Sequence, residues 1–365
     1  MRPVVALDAA LLAIPNSASD AQEAQRILDS VIDWSGCVAT NSPVRVSQLS
    51  DTLDTLAELN YFPNLPDIDA LLAMFRLKHV YTGEDIRRSI NTILDRAPHF
   101  GSLFGREVKR VIFCETAPDV FGGYDGPLRP MGQRTVASAI SADIFPQSEP
   151  GDLLFAALGA RSLCPDRIQV QCDVEELRMS VQRDDLHVPF GVYGALRLTS
   201  SPQDVLLRLT PEVVWNRAED AFDIHLAVSL EAFKILKKMK PKAGLAEIPF
   251  FHVGTEFYRS LMVNSAGPTG PLAHIVREAC ARLVLAHSKY SVRPLRGSSR
   301  KQKVRSSDGA EAFRTHVTKH HEGIRLMFWS MKSKMIELAN IGPKNELRIE
   351  EGLLDGRVSR SWAQY

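Results

Sequence analysis

The residues best suited to chemistry lie near the C-terminal end of the sequence. Arg314 and His316 are two positions apart, and Arg325 and Lys344 follow within the next two apolar runs. Histidine titrates near neutral pH, whereas guanidinium and ammonium groups stabilise a phosphate anion. Together these residue types suit the binding of a phosphate backbone. The alternative is a set of ordinary solvent-facing charges on a half-buried sheet.

A basic stretch precedes these residues and is interleaved only with neutral ones. The whole chain carries 44 basic and 43 acidic residues, so this stretch is a local asymmetry. Such clusters favour nucleic-acid contact, although a solvated loop or a docking surface for an acidic partner would have the same composition. The predicted nucleic-acid contacts, which include one lysine further along the chain, are Arg293, Arg296, Arg300, Lys301, Lys303, Arg305 and Lys319.

Three short runs of alternating apolar residues position the candidate catalytic side chains. The runs cover residues 313–317, 323–329 and 336–344, with brief polar breaks between them. This pattern predicts an antiparallel meander. Because successive side chains of a strand point to opposite faces, Arg314 and His316 share a face, and Arg325 points away from its apolar neighbours. The sequence therefore predicts a sheet with an apolar back and a cationic front.

The order of motifs between residues 270 and 352 resembles the RelE/ParE toxin superfamily. A helical pattern over 273–287, with Val276, Ala279, Cys280 and Leu283 on one stripe, leads into Pro-Leu-Arg-Gly at 294–297. Arg-x-His, Gly-x-Arg-Leu-x-aromatic and Ile-Gly-x-Lys then follow in that order. The resemblance implies helices packed on a small twisted antiparallel sheet.

The resemblance also implies a function. Active RelE-like members are ribosome-dependent mRNA endonucleases that need no metal, and their basic residues match Arg314, His316, Arg325 and Lys344. Metal-free cleavage of RNA needs a base and cations, so the resemblance implies proton transfer by His316 and stabilisation of the phosphate charge by the other three residues. We therefore expect RNA or the ribosome as target, no cofactor, and an antitoxin or another defence-complex subunit as protein partner. Active members carry a tyrosine near the end of the last strand, but residues 345–349 contain none. The alternative function is a non-catalytic subunit that binds nucleic acid or protein.

A second alternative comes from carboxylates elsewhere in the chain. The apolar run Val4–Leu7 followed by Asp8 resembles the opening strand of PIN-type nucleases, whose carboxylates bind Mg²⁺ or Mn²⁺. Asp152 and Asp173 match later acids of that family, and Glu115 would complete the cluster. Oxygen ligands of this kind suit two-metal hydrolysis of phosphodiesters. Helix capping and a strand-end turn are the ordinary explanations for the two later aspartates.

Length and composition predict a soluble protein of two or three domains, and the local patterns predict the α+β class. The chain has 365 residues, 45% of them hydrophobic and 24% charged, as in typical globular proteins. We expect a helix-rich region over 1–105, a mixed α/β region over 106–265 and the RelE-like domain over 270–355, after a Gly/Pro-rich boundary. No run approaches the ~20 apolar residues of a membrane span, and the scattered cysteines predict free thiols in a reducing compartment. The expected location is the cytoplasm.

Local patterns in the middle region give further predictions. Residues 152–160 have the pattern of a helix, and residues 167–172, 195–199 and 222–228 have the pattern of strands. Residues 83–96 predict an amphipathic helix.

Overall fold

The computed structural model describes residues 2–14, 18–39, 42–122, 124, 126–144, 154–158, 166–179, 189–297, 301–318 and 323–359. Helices and two six-stranded mixed sheets make up this part of the chain, which confirms the α+β class. Contacts divide the chain into an N-terminal unit, Pro3–Leu206, and a C-terminal unit, Leu207–Tyr365 with Met1–Arg2. The strand Val4–Leu7, in the region predicted to be helix-rich, pairs in parallel with the strand Leu154–Ala157 of the predicted middle region.

The N-terminal unit is built on a mainly parallel sheet. The strand order is β2-β1-β4-β6-β5-β3; β2, β1, β4 and β6 are parallel, whereas β5 is antiparallel to both β6 and β3. The bounds are β1 Val4–Leu7, α1 Ala21–Ala39, β2 Arg45–Ser47, α2 Thr52–Glu58, α3 Leu65–Met74, α4 Gly83–Arg96, α5 Phe100–Phe104, β3 Arg106–Ala117, α6 Arg129–Ile144, β4 Leu154–Ala157, β5 Arg167–Met179, β6 Phe190–Leu198 and α7 Pro202–Arg208.

Local signals account for some of these elements and fail for others. Helix α4 has the predicted bounds, and the Thr82 hydroxyl caps it by accepting from the Asp85 backbone amide. The predicted helix over 152–160 is wrong, because Leu154–Ala157 forms strand β4 between β1 and β6. All four β4 residues are buried, and a strand buried on both faces lacks the alternation that would distinguish it from a helix.

Two of the five cysteines differ from the prediction of free thiols. Cys114 on β3 and Cys172 on β5 are direct cross-strand partners, with Cα atoms 4.1 Å apart, and they form a disulfide. Cys37 and Cys280 are free and buried, as predicted. The pairing depends on strand register, which the spacing of cysteines in the sequence does not contain.

The C-terminal unit contains the predicted meander inside a larger sheet. The strand order is β12-β7-β11-β10-β9-β8, and β9, β10 and β11 pair antiparallel in succession. Strand β7 adds to β11 in parallel, so the sheet is mixed and larger than the small antiparallel one expected. The bounds are α8 Pro211–Asn216, α9 Ala221–Met239, β7 Phe251–Val253, α10 Phe257–Val263, α11 Ala273–Val284, β8 Arg293–Pro294, β9 Glu311–His316, β10 Ile324–Ser330, β11 Ile336–Pro343 and β12 Val358–Ser359.

Helices of this unit follow their capping and burial signals. The strand predicted over 222–228 is wrong: these residues belong to α9, whose first turn is capped by the Asp220 carboxylate accepting from the Phe222 and Asp223 amides. Residues 224–228 of α9 are all buried, so this stretch lacks the helical periodicity of polar and apolar residues that a surface helix shows. In α11, Val276, Cys280 and Leu283 are buried as predicted. Among the residues described, no helix is long and apolar enough to cross a membrane.

Candidate anion-binding site

Basic side chains face one another across three strands of the C-terminal unit. Arg325 on β10 is the direct partner of His316 on β9, and Arg293 on β8 is the direct partner of Arg314 on β9. Direct partners in an antiparallel pair share a face, with Cβ atoms about 4.5–5.5 Å apart. Like charges in this position destabilise a sheet. We call Arg293, Arg314, His316, Arg325 and Lys344 the cationic cluster.

The opposite face of the meander is apolar, as predicted. Thr315 and Val317 on the β9 side and Leu326 on β10 are buried, and the rings of Phe313 and Phe328 stack with centroids 5.7 Å apart. This burial holds the strands in register, because a slip by one residue would turn the arginines into the core.

The cationic face covers only one end of the sheet. Further along the same face, Ala312, Met327 and Trp329 are buried in a small apolar core with Leu295 and Ile349. The prediction of a wholly cationic front is therefore wrong for this end. The apolar end anchors the sheet and leaves the cationic end to form the site.

A cavity of about 340 Å³ opens beside the cluster. Its volume lies at the lower end of the range found for ligand pockets. Lys344 follows the end of β11, and Gly323 precedes the start of β10, which pairs with that end of β11. Both residues line the cavity. The residues that line the cavity are Lys289, Tyr290, Ser291, Arg293, His316, Thr318, Gly323 and Lys344.

No acidic side chain of the described residues compensates the cluster. Salt bridges and hydrogen bonds elsewhere in the unit engage many arginines, but none joins a cluster member to a carboxylate in this part of the chain. The Arg325 Nε atom is buried and has no hydrogen-bond acceptor among the described residues. A buried donor without a partner costs about 1–3 kcal/mol. Arg325 does not line the cavity itself, but it is the direct strand partner of His316, which does.

The electrostatics keep the imidazole available as a base. Partial burial, followed by the charge of Arg325 and then of the other cluster members, lowers the pKa of His316 below its ordinary value. His316 is therefore neutral at neutral pH and can accept a proton. Burial and the charges of Arg314 and Arg293 also lower the pKa of Arg325, which nevertheless stays charged at neutral pH.

Tyr290 is a residue of the cavity that the sequence did not single out. Its backbone carbonyl accepts hydrogen bonds from the Ser288 and Thr315 hydroxyls, at 2.9 and 3.3 Å, so the segment before β8 is fastened to β9. Its ring lies 6.5 Å from that of His316, between centroids, at 81°. Tyr290 lies outside every predicted strand. Its one sequence signal is its place between Lys289 and the basic stretch.

The predicted nucleic-acid contacts lie in different environments. Arg293 belongs to the cationic cluster, whereas Arg296 and Lys301 are exposed on the connection between β8 and β9. Lys303 is half-buried and donates through Nζ to the Leu347 carbonyl, at 2.8 Å. Arg300 and Lys319 lie outside the described residues.

Arg305 was predicted to contact nucleic acid at the surface, but its position in the structure contradicts this prediction. Its side chain is fully buried, and its Nη2 lies 2.9 Å from Glu337 Oε2 and 2.8 Å from Asp308 Oδ2. The guanidinium also lies over the Trp329 ring, 4.9 Å from its centroid. These contacts leave it no face for a phosphate. Arg305 is a structural residue of the apolar end of the sheet.

The carboxylates of the N-terminal unit do not come together as the metal-site alternative requires. Asp8 is buried beyond the end of β1, where the Tyr124 hydroxyl donates to it. Asp173 is exposed on β5, three strands away in sheet order, or about 14 Å at the usual strand spacing. Glu115 lies on β3, one strand further, and Asp152 lies outside the described residues. No group of three or more potential metal ligands occurs in the part of the chain that the structure describes.

Comparison of the chain with models of protein families, with curated proteins and with solved structures finds no match. The resemblance to the RelE/ParE superfamily therefore stays a prediction.

Proposed function

We propose that the C-terminal unit binds RNA through the cationic cluster and cleaves it without a metal ion. One observation carries this proposal: three members of the cationic cluster line one open cavity, and no member of the cluster is paired with an acid of the described residues. The two other members, Arg314 and Arg325, are the direct strand partners of Arg293 and His316 in the cavity wall. Phosphodiesters are the common biological anions that need several cations at once. The RelE-like order of helix α11 and strands β9, β10 and β11 supports RNA as the target.

The cluster contains the groups that the reaction needs. Neutral His316 would take the proton from a ribose 2′ hydroxyl, and the 2′ oxygen would attack the adjacent phosphorus. Arg325 and Arg314 would hold the non-bridging oxygens, on which negative charge grows in the transition state. The bond to the 5′ oxygen then breaks, and that oxygen takes a proton from solvent. The products would be a 2′,3′-cyclic phosphate and a 5′ hydroxyl.

Cleavage assays with purified protein test this proposal. Free RNA and ribosome-associated mRNA would be incubated with the wild-type chain, His316→Ala and Arg325→Ala, each with and without EDTA. We expect cleavage that is insensitive to EDTA, with a loss on the order of 10²–10⁴-fold in His316→Ala, the usual contribution of general base catalysis. His79→Ala is the matched control, because His79 is exposed in the N-terminal unit. Full activity of His316→Ala, or inhibition by EDTA, would contradict the proposed mechanism.

A non-catalytic RNA-binding subunit is the second candidate. It is favoured by the single imidazole among the residues that line the cavity and by the absence of a tyrosine at residues 345–349. The same assays separate the two candidates. Binding that depends on Arg325, with no cleavage of either substrate, would identify the subunit.

A further inference from the structure

We propose that the cavity receives one unpaired nucleotide, with its base stacked on the ring of Tyr290 and its phosphate held by the cationic cluster. This inference rests on the proposed function and adds what the site recognises besides charge. A bare anion site needs no aromatic wall. The cavity has one, beside its cations, and that combination fits a nucleotide.

The position of Tyr290 is set by strand β9. Because Thr315 precedes His316, the hydrogen bond from the Thr315 hydroxyl to the Tyr290 carbonyl ties the aromatic residue to the strand that carries the imidazole. The Lys289 ammonium lies 6.0 Å from the centre of the same ring. A base on this ring would thus be attached to a ribose close to His316, within the range of the surrounding cations.

The chemistry requires a single strand. Bases in a duplex are stacked and paired, and the deep, narrow major groove of an RNA helix does not admit side chains. A base can lie flat on Tyr290 only if it has left the helix or was never paired. Stacking on one aromatic ring tolerates all four bases, so we expect selection of strandedness rather than of sequence.

Equilibrium binding of labelled oligonucleotides tests the inference. The probes are a single-stranded RNA, the same RNA as a duplex, and an oligomer of equal charge that lacks bases. The parent protein carries His316→Gln, which prevents cleavage. Tyr290→Ala and Tyr290→Phe are each made in this parent, and Tyr193→Ala in the same parent serves as control, because that tyrosine is 68% exposed in the N-terminal unit.

We expect Tyr290→Ala to weaken binding of the single strand on the order of 10- to 100-fold, the usual loss when one stacking ring is removed. Tyr290→Phe, which keeps the ring, should stay within about threefold of its parent protein, and Tyr193→Ala should not differ from it. The base-free oligomer should bind equally to the Tyr290→Ala protein and its parent. The parent protein should also bind the single strand more tightly than the duplex.

Other outcomes distinguish the inference from the proposed function. If Tyr290→Ala weakened binding of the base-free oligomer as much as that of RNA, the stacking role would be wrong, while RNA binding would stand. If the parent protein bound the RNA and the base-free oligomer with equal affinity, the stacking role would again be wrong and RNA binding would stand. This comparison needs no tyrosine variant. If the parent protein bound none of the probes, both the proposed function and this inference would be overturned.

Discussion

The two ends of the C-terminal sheet treat arginine in opposite ways. At the apolar end, Arg305 is fully buried between Glu337 and Asp308, and Arg357 donates to the same Asp308 at 3.0 Å. At the cationic end, Arg325 faces His316 and has a buried Nε atom with no acceptor among the described residues. Both arginines belong to the same sheet and the same unit. Within the part of the chain that the structure describes, only Arg305 of these two is paired with carboxylates.

This difference separates a structural role from a binding role. A buried ion pair with complete hydrogen bonding holds its secondary-structure elements in place. Removal of one partner leaves the charge of the other partner buried and uncompensated. Cations placed opposite other cations weaken the folded state and are stabilised only by an external anion. The cationic end therefore has the character of a site, whereas the Arg305 network has the character of a core.

The largest expected effect is a loss of folding stability when Arg305 is removed from the apolar end of the sheet. Arg305→Ala should lower the free energy of unfolding by about 3 kcal/mol, because buried Glu337 would lose both of its hydrogen bonds from Arg305 and keep only its ion pair with Arg357. Arg325→Ala is the matched variant, and it should lower the free energy of unfolding by less than about 1 kcal/mol or raise it, since it removes a repulsive charge. Urea denaturation of both variants measures the difference. Equal destabilisation would contradict the distinction between the two ends.

A smaller effect is expected on binding. Arg325→Ala should weaken binding of single-stranded RNA about tenfold and should make the slope of log affinity against log salt shallower by about 0.7, the value for one phosphate contact on a single strand. Arg259→Ala is the control, because its side chain is 83% exposed on α10. Titrations at several salt concentrations provide the measurement. An unchanged slope in Arg325→Ala would show that Arg325 contacts no phosphate.

The smallest effect is a dependence on pH. His316 has a lowered pKa in the free protein, and a bound phosphate would raise it by adding negative charge. Affinity for the phosphate should therefore increase as pH falls through the His316 pKa of the complex and should level off below the His316 pKa of the free protein. The total increase should be about tenfold for each pH unit that separates these two pKa values. Calorimetry in buffers with different ionisation heats would detect the proton taken up. Proton uptake that persists in His316→Gln would assign it to another group.

The folding stability of the protein should also depend on the protonation of His316. Because the folded-state pKa of His316 is lowered, the unfolded chain binds more protons below about pH 6.5, and stability falls as pH decreases through that value. Asp308 has a lowered pKa because of its hydrogen bond from Arg305, so its contribution is present above its ordinary value of 3.8 and is lost below it. The two ends of the sheet thus respond to acid in different pH ranges.

The sequence by itself determined what depends on near neighbours along the chain. The alternation in the three C-terminal runs predicted the meander and put Arg314 and His316 on one face, since side chains of a strand alternate whatever the strand pairs with. The helical pattern over residues 83–96 predicted α4. Local pattern failed at β4 and at the start of α9, because full burial removes the periodicity that distinguishes strand from helix.

Only the tertiary structure decided which charges are neutralised. Arg305 and Arg293 look alike in the sequence, yet Arg305 meets Glu337 across the fold and Arg293 meets another arginine. Tyr290 is held at the cavity by a hydrogen bond that its backbone carbonyl accepts from the hydroxyl of Thr315, 25 positions later in the chain. Strand register and loop closure join residues that are distant in the chain, and no local pattern contains the distance between them.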